Sequence, residues 1–114
     1  MSRHDDAVRL RHMLDAARKA VALLAGRTRA QLEGDEVAQL ALARLLEIVG
    51  EAAGRVSPDY RASQPQLPWA EMGGLRNRLA HAYFDVDLDV LVDIVVKDLP
   101  PLIEHLGRLL PKPK

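Results

Sequence analysis

Four side chains in the second half of the sequence have types and spacing suited to work on a phosphodiester: Arg76, Asn77, His81 and Tyr83. An imidazole, with an ordinary pKa of about 6.5, can take a proton from a ribose 2′-hydroxyl near neutral pH. That hydroxyl can then attack the adjacent phosphorus. A guanidinium can hold the phosphate through two parallel hydrogen bonds and stabilise charge developing on its oxygens. Asn77 and His81 form an i, i+4 pair, so on a helix the amide lies beside the imidazole and can orient it or donate to the phosphate. This chemistry is metal-free RNA cleavage and calls for no cofactor.

The sequence around these residues predicts a helix over about 68–83, with Pro68 at its first position. With Arg76 at zero and about 100° per residue, Met72, Leu75, Leu79 and Ala82 cluster at about 240–320° as a core stripe. Arg76, Asn77 and His81 fall at about 0°, 100° and 140°, on the other side. Gly73, Gly74 and Ala80 share that polar side and leave a face on which a substrate phosphate or a second helix can approach closely. Two glycines inside a helix cost about 1 kcal/mol each relative to Ala, a cost better understood if close approach is needed. Taken singly, each residue has an ordinary reading. A polar-face His or Arg is usually solvated, and Tyr83 alone reads as a packing aromatic at a helix end.

Helical spacing extends over nearly the whole chain. Val8, Leu10, Met13, Leu14, Ala17, Val21 and Leu24 mark a helix over about 4–25, ended by Gly26. Thr28 caps a short turn that Gly34 breaks, and Asp35 is an N-cap for a second long helix. Its expected stripe is Val37, Leu40, Ala41, Leu45, Ile48, Val49, Ala52 and Val56. Residues 57–68, with Pro58, Pro65 and Pro68, read as a loop. Asp85 or Asp87 can cap a last helix over about 88–109, which Pro100 and Pro101 should kink or split. The valine-rich 90–96 run could be a strand in isolation, but it has no partner strand. The expectation is all-α: an up-and-down bundle of four long helices plus short pieces, one domain over 1–110 and an exposed tail at 111–114.

Composition narrows the function. The 114 residues suit one domain, 48% are apolar and 28% charged. The 16 basic and 16 acidic residues cancel, which argues against broad electrostatic coating of nucleic acid but allows a small phosphate site. From 55 to 78 four Arg face Asp59 and Glu71, a local net of +2, while from 79 onward the net is −2. The absence of cysteine excludes a disulfide scaffold, a zinc finger and a thiol nucleophile. Four aromatics are too few for a base-stacking platform. The charged N-terminal stretch lacks a signal-peptide core and no apolar run approaches the roughly 18 residues of a membrane span, so the expected location is the cytoplasm. His4, Asp5, Asp6 and His12 are the nearest thing to a metal cluster. The two His are eight residues apart, about 80° round a helix, and do not converge. The charges at Arg9, Arg11, Arg18 and Lys19 read as solvated surface that can assist RNA binding, and Glu51 as an exposed carboxylate or a partner for an arginine.

The stretch LPWAEMGGLRNRLAHAYFDVD resembles the signature of HepT-like proteins of the HEPN superfamily. Their motif, an Arg, a polar residue that is usually Asn, a short spacer and then His-x-Tyr, is matched by Arg76-Asn77-Arg78-Leu79-Ala80-His81-Ala82-Tyr83. The flanking Pro68-Trp69 and Phe84-Asp85-Val86-Asp87 fit as well, and Ile48-Val49-Gly50-Glu51-Ala52 looks family-like. Gly73 departs from the pattern, where an aliphatic residue is expected. The resemblance implies a ribonuclease toxin of a toxin–antitoxin pair in which Arg76 and His81 carry cleavage. It also implies a homodimer whose two motifs line a shared cleft. The implied partner is a minimal nucleotidyltransferase, MntA, which inactivates the toxin by adding AMP to Tyr83. The alternative from another class is a non-catalytic helical dimer that binds a nucleotidyltransferase and is modified by it.

Overall fold

The computed structural model of the chain describes residues 3–75 and 88–110. The expectations for Arg76, Asn77, Ala80, His81, Tyr83, the Asp85 or Asp87 cap and the 111–114 tail lie outside those residues. The described residues are all-α, without a strand, and contain three long helical stretches.

Helix α1 spans Arg3–Ala25, with Asp5 and Asp6 in its first turn, where carboxylates face the positive end of the helix dipole. Leu10, Met13, Leu14, Ala17 and Ala20 form its buried stripe at three- and four-residue steps. Arg27 Nη1 donates to the Leu23 carbonyl at 2.6 Å and satisfies a last-turn acceptor. The short α2, Arg29–Glu33, opens with a capping box. Gln31 N–H donates to Thr28 Oγ1, and Thr28 N–H donates to Gln31 Oε1. Gly34 ends it, and Asp35 caps α3, Glu36–Arg55, by accepting from Ala38 N–H at 3.0 Å.

Helices α1 and α3 pack together and run antiparallel. Asp6 at the start of one meets Ser57 just beyond the end of the other, while Arg27 and Asp35 pair at 3.6 Å at the opposite end. The face of α3 turned to the core is Ala38, Leu42, Leu46, Val49 and Ala53. Val49, Ala52 and Val56 are buried as expected, whereas the first half of the stripe is one residue out, with Ala38, Leu42 and Leu46 in place of Val37, Ala41 and Leu45. Val37 and Leu40 are instead 77% and 48% exposed. The sequence of α3 carries apolar residues on adjoining faces, and packing against α1 selects between them.

The expected loop at 57–68 contains a helix. Ser57 caps α4, Pro58–Ser63, by accepting from Tyr60 N–H, and Pro58 takes the first turn, where its missing N–H has no cost. The same Ser-Pro-Asp run that stops α3 therefore starts α4. Leu67 is buried, and Trp69 Nε1 donates to the Gln64 carbonyl at 2.8 Å, which closes the turn into α5, Trp69–Gly73. Pro68 is the N-cap of α5 rather than its first residue. Gly74 caps its end and Leu75 is helical again, so the single helix expected over 68–83 is interrupted at Gly74.

The C-terminal stretch comprises α6, Leu88–Asp93, a π-helical turn, Ile94–Asp98, and α7, Leu99–Leu109. The valine-rich run is helical. Pro100 and Pro101 lack N–H groups and their rings crowd the preceding turn. The helix accommodates them by widening, and Leu99 N–H reaches back five residues to the Ile94 carbonyl. The expected kink takes the form of a π turn. Leu91, Ile94, Leu99, Leu102 and Leu106 complete the core beside α1.

Among the described residues Asp6 is the buried charged side chain, at 5% exposure. Burial alone would raise its pKa. Hydrogen bonds from Ser57 N–H at 2.8 Å and Ser57 Oγ–H at 2.7 Å lower it by more, so the net value lies below the ordinary carboxylate range. Burial, and next the Asp6 charge, raise the Tyr60 phenol. A carboxyl whose folded pKa is depressed contributes stability that is full above its unfolded value, about 3.9, and is lost as pH falls through the folded value. Wild type is therefore expected to lose more melting temperature than Asp6→Asn between about pH 5 and pH 2, where Asp6 protonates. At pH 7, Asp6→Ala is expected to cost about 1–3 kcal/mol by leaving Ser57 unpaired, measured by urea denaturation.

Candidate functional site

Where the C-terminal half of α3 meets α5, a cleft of about 470 Å³ opens to solvent. Among the described residues it is lined by Gly50, Glu51, Gly54 and Arg55 of α3 and Gly73 of α5. Gly50 and Gly54 are four residues apart and share one side of the helix. A Cβ placed on Gly54 or Gly73 would meet nothing within 4 Å, so these glycines widen the cleft rather than relieve a clash. At Gly74 a Cβ would lie 3.4 and 3.5 Å from the Ala70 and Glu71 carbonyls of its own turn, and Gly74 is not in the lining. Of the three residues expected to form a close-approach face, Gly73 thus lies on the cleft, Gly74 beside it, and Ala80 outside the described residues.

A smaller pocket of about 70 Å³ adjoins the cleft, lined by Arg9 and His12 of α1 and by Ile48, Glu51, Ala52 and Arg55 of α3. Glu51 and Arg55 border both. The antiparallel packing of α1 on α3 brings the pair from α1 to this place. Arg9 and His12, an i, i+3 pair, share a side of α1 and face the last turns of α3. Glu51 is engaged by Arg44 Nη1 at 3.5 Å, and the same nitrogen donates to Glu47 at 3.1 Å. Glu51 is thus a partially exposed carboxylate paired with an arginine. No ion pair joins Arg9, His12 or Arg55 to an acid among the described residues, and Arg9 Nε is shut away from solvent without an acceptor.

Asp6 is held by both Ser57 groups. Among the described residues no three His, Asp or Glu side chains gather as a metal site. No helix among them is long and apolar enough to cross a membrane.

The pocket formed by Arg9, His12 and Arg55 has no signature in the sequence, because Arg55 lies more than 40 positions from the other two. The Gly50-x-x-x-Gly54 spacing was a visible signal of an open helix face. The chain enters the 76–87 segment from this region, since Gly73 on the cleft stands three positions before Arg76 in the sequence. Leu75 and Leu88, on either side of that segment, are both buried in the core.

An all-helical domain with a polar, glycine-lined cleft just upstream of an Arg-Asn-x₃-His-x-Tyr motif is the setting for a family assignment. Residues 13–109 match the family described as ribonuclease HepT-like, and the chain belongs to that family. It is 44% identical over 75 residues to a protein of Thermococcus cleftensis named a probable ribonuclease HepT, covering 66% of this chain and 68% of that protein. It is 34% identical over 102 residues to a protein of Methanocaldococcus jannaschii, covering 90% and 94% of the two chains. A protein of Caldanaerobacter subterraneus subsp. tengcongensis is 30% identical over 105 residues, covering 92% and 94%. Both of the latter carry the name putative RNase. No solved structure matches the chain.

Proposed function

We propose that this protein is a metal-independent RNA endonuclease that acts as the toxin of a toxin–antitoxin pair. The observation that carries the reading is the complete Arg76-Asn77…His81-x-Tyr83 motif in a chain whose residues 13–109 match a ribonuclease family. In the proposed reaction His81 accepts the proton of a ribose 2′-hydroxyl, and the 2′-oxygen forms a bond to the neighbouring phosphorus. The bond from phosphorus to the 5′-oxygen breaks, and that oxygen gains a proton, so no oxidant, metal or co-reactant enters the balance. Arg76 holds the phosphate and meets the charge developing on its oxygens. Asn77 supports the imidazole or the phosphate.

Regulation follows from Tyr83. In this reading an MntA-like nucleotidyltransferase transfers AMP from ATP to the phenol oxygen, releasing pyrophosphate. The added phosphodiester places negative charge where substrate phosphate would bind. The active species is a cytoplasmic homodimer, which doubles the local positive charge of the motif region.

The test is direct. Purified, unmodified protein is expected to cleave single-stranded RNA in excess EDTA at the rate seen with magnesium. Cleavage that requires added divalent ions would overturn the metal-free reading. Folded, unmodified protein with no cleavage at all would leave the non-catalytic partner of a nucleotidyltransferase as the better description. Intact-mass measurement after co-expression with a small nucleotidyltransferase is expected to show AMP increments on wild type and none on Tyr83→Phe.

A further inference from the structure

The pocket between α1 and α3 gathers two guanidinium groups and an imidazole against one carboxylate, Glu51. Arg9 and His12 come from α1 and Arg55 from α3. Glu51 also pairs with Arg44 outside the lining, through the nitrogen that holds Glu47, so positive groups outnumber carboxylates in the pocket. Arg9 is half-buried in the wall of the pocket, and no ion pair joins it, His12 or Arg55 to an acid among the described residues. Like charges brought together by two different helices also repel. An anion seated between them would relieve that repulsion.

The position of the pocket says which anion. It shares Glu51 and Arg55 with the glycine-lined cleft, whose other wall carries Gly73. Among the described residues, Gly54 and Gly73 put no side chain into the cleft, which leaves room beside Glu51 and Arg55 for an extended backbone. A polymer with regularly spaced phosphates can occupy the cleft and the pocket together.

We propose that Arg9, His12 and Arg55 form a second anion subsite that holds a phosphate of the RNA strand flanking the one cleaved. This rests on the ribonuclease reading above for the identity of the polymer. It adds residues outside the motif that set where along the strand the substrate is gripped.

The experiment uses a non-cleavable probe, a short single-stranded 2′-O-methyl oligonucleotide, so its outcome does not depend on catalysis. Affinity is measured for wild type and for the Arg9→Gln/Arg55→Gln double variant. Each phosphate of the probe is replaced in turn by an uncharged methylphosphonate. For wild type, one flanking position is expected to weaken binding by about tenfold when neutralised. The double variant is expected to bind the intact probe about tenfold more weakly and to be indifferent to that same replacement. Its salt slope is expected to fall by about 0.7 for each phosphate it no longer neutralises. Arg55→Lys, which keeps the charge, is expected to retain the wild-type slope.

Equal losses from protein and probe changes that simply add would overturn the subsite, as would unchanged binding by the double variant. Failure of wild type to bind the probe would overturn it as well. Arg55→Gln alone, at an exposed position, and His12→Gln provide the same comparison if the double variant melts early. Failure of the ribonuclease reading would show separately, as intact cleavable RNA despite a coupled phosphate in the binding series.

Discussion

His81→Ala is expected to lower RNA cleavage by about 10²- to 10⁴-fold, the usual worth of a positioned general acid–base. The variant should keep the circular dichroism and melting temperature of wild type, and these are measured beside the initial rate. A wild-type rate in the folded variant would sink the assignment of His81. Arg76→Ala is expected to act at the same step by removing the group that meets charge on the phosphate oxygens. Arg76→Lys should rescue it poorly, because an ammonium is a point charge without the planar pair of donors. The two single losses should not add in the double variant if the residues serve one transition state, so a cycle of initial rates over the four proteins tests them as a unit.

The largest expected loss of stability is at the α1–α3 interface. Leu46 is fully buried in the middle of α3. Leu46→Ala removes apolar packing and leaves a cavity that rigid neighbouring helices fill incompletely, at a cost of about 2–5 kcal/mol. Against a total of about 5–15 kcal/mol for a domain, that is a large fraction. At roughly 4 °C per kcal/mol for this chain length, the melting temperature should fall by about 8–20 °C. Val37→Ala, on the same helix but 77% exposed, should change stability by about 0.5 kcal/mol or less. Equal losses at the two positions would contradict the rotation of α3 described above.

Much of the helical framework is readable from the order of residues alone. The Thr28 capping box, the Asp35 cap and the glycines that end α1 and α2 are local signals. A side chain three residues from a backbone N–H is enough to produce each cap. The proline pair at 100–101 also announces its effect, although the form it takes, a π turn closed by Leu99 N–H, depends on how the helix is held on both sides. The helix at 58–63 is hidden because proline and serine signal a break and a helix start with the same letters.

The candidate site divides the same way. The motif residues lie within eight consecutive positions, and the chemistry proposed for them is legible in residue type and spacing alone. Arg9, His12 and Arg55 carry no local pattern that sets them apart from solvated surface charges.

By itself, then, the sequence determined the all-α class, most helix boundaries, the Arg76-to-Tyr83 motif and membership of the ribonuclease HepT-like family. These rest on interactions between residues close along the chain. Only the tertiary structure decided which apolar face of α3 is buried, because that choice is made by the shape of α1 and not by α3 alone. It also decided that Arg9 and His12 stand opposite Arg55, with Asp6 committed to Ser57 and Glu51 to Arg44. The Asp6–Ser57 pairing and the gathering of Arg9 and His12 with Arg55 join residues about 40 to 50 positions apart. Their energies exist only once the antiparallel packing of two helices has brought the groups within hydrogen-bonding and Coulomb range.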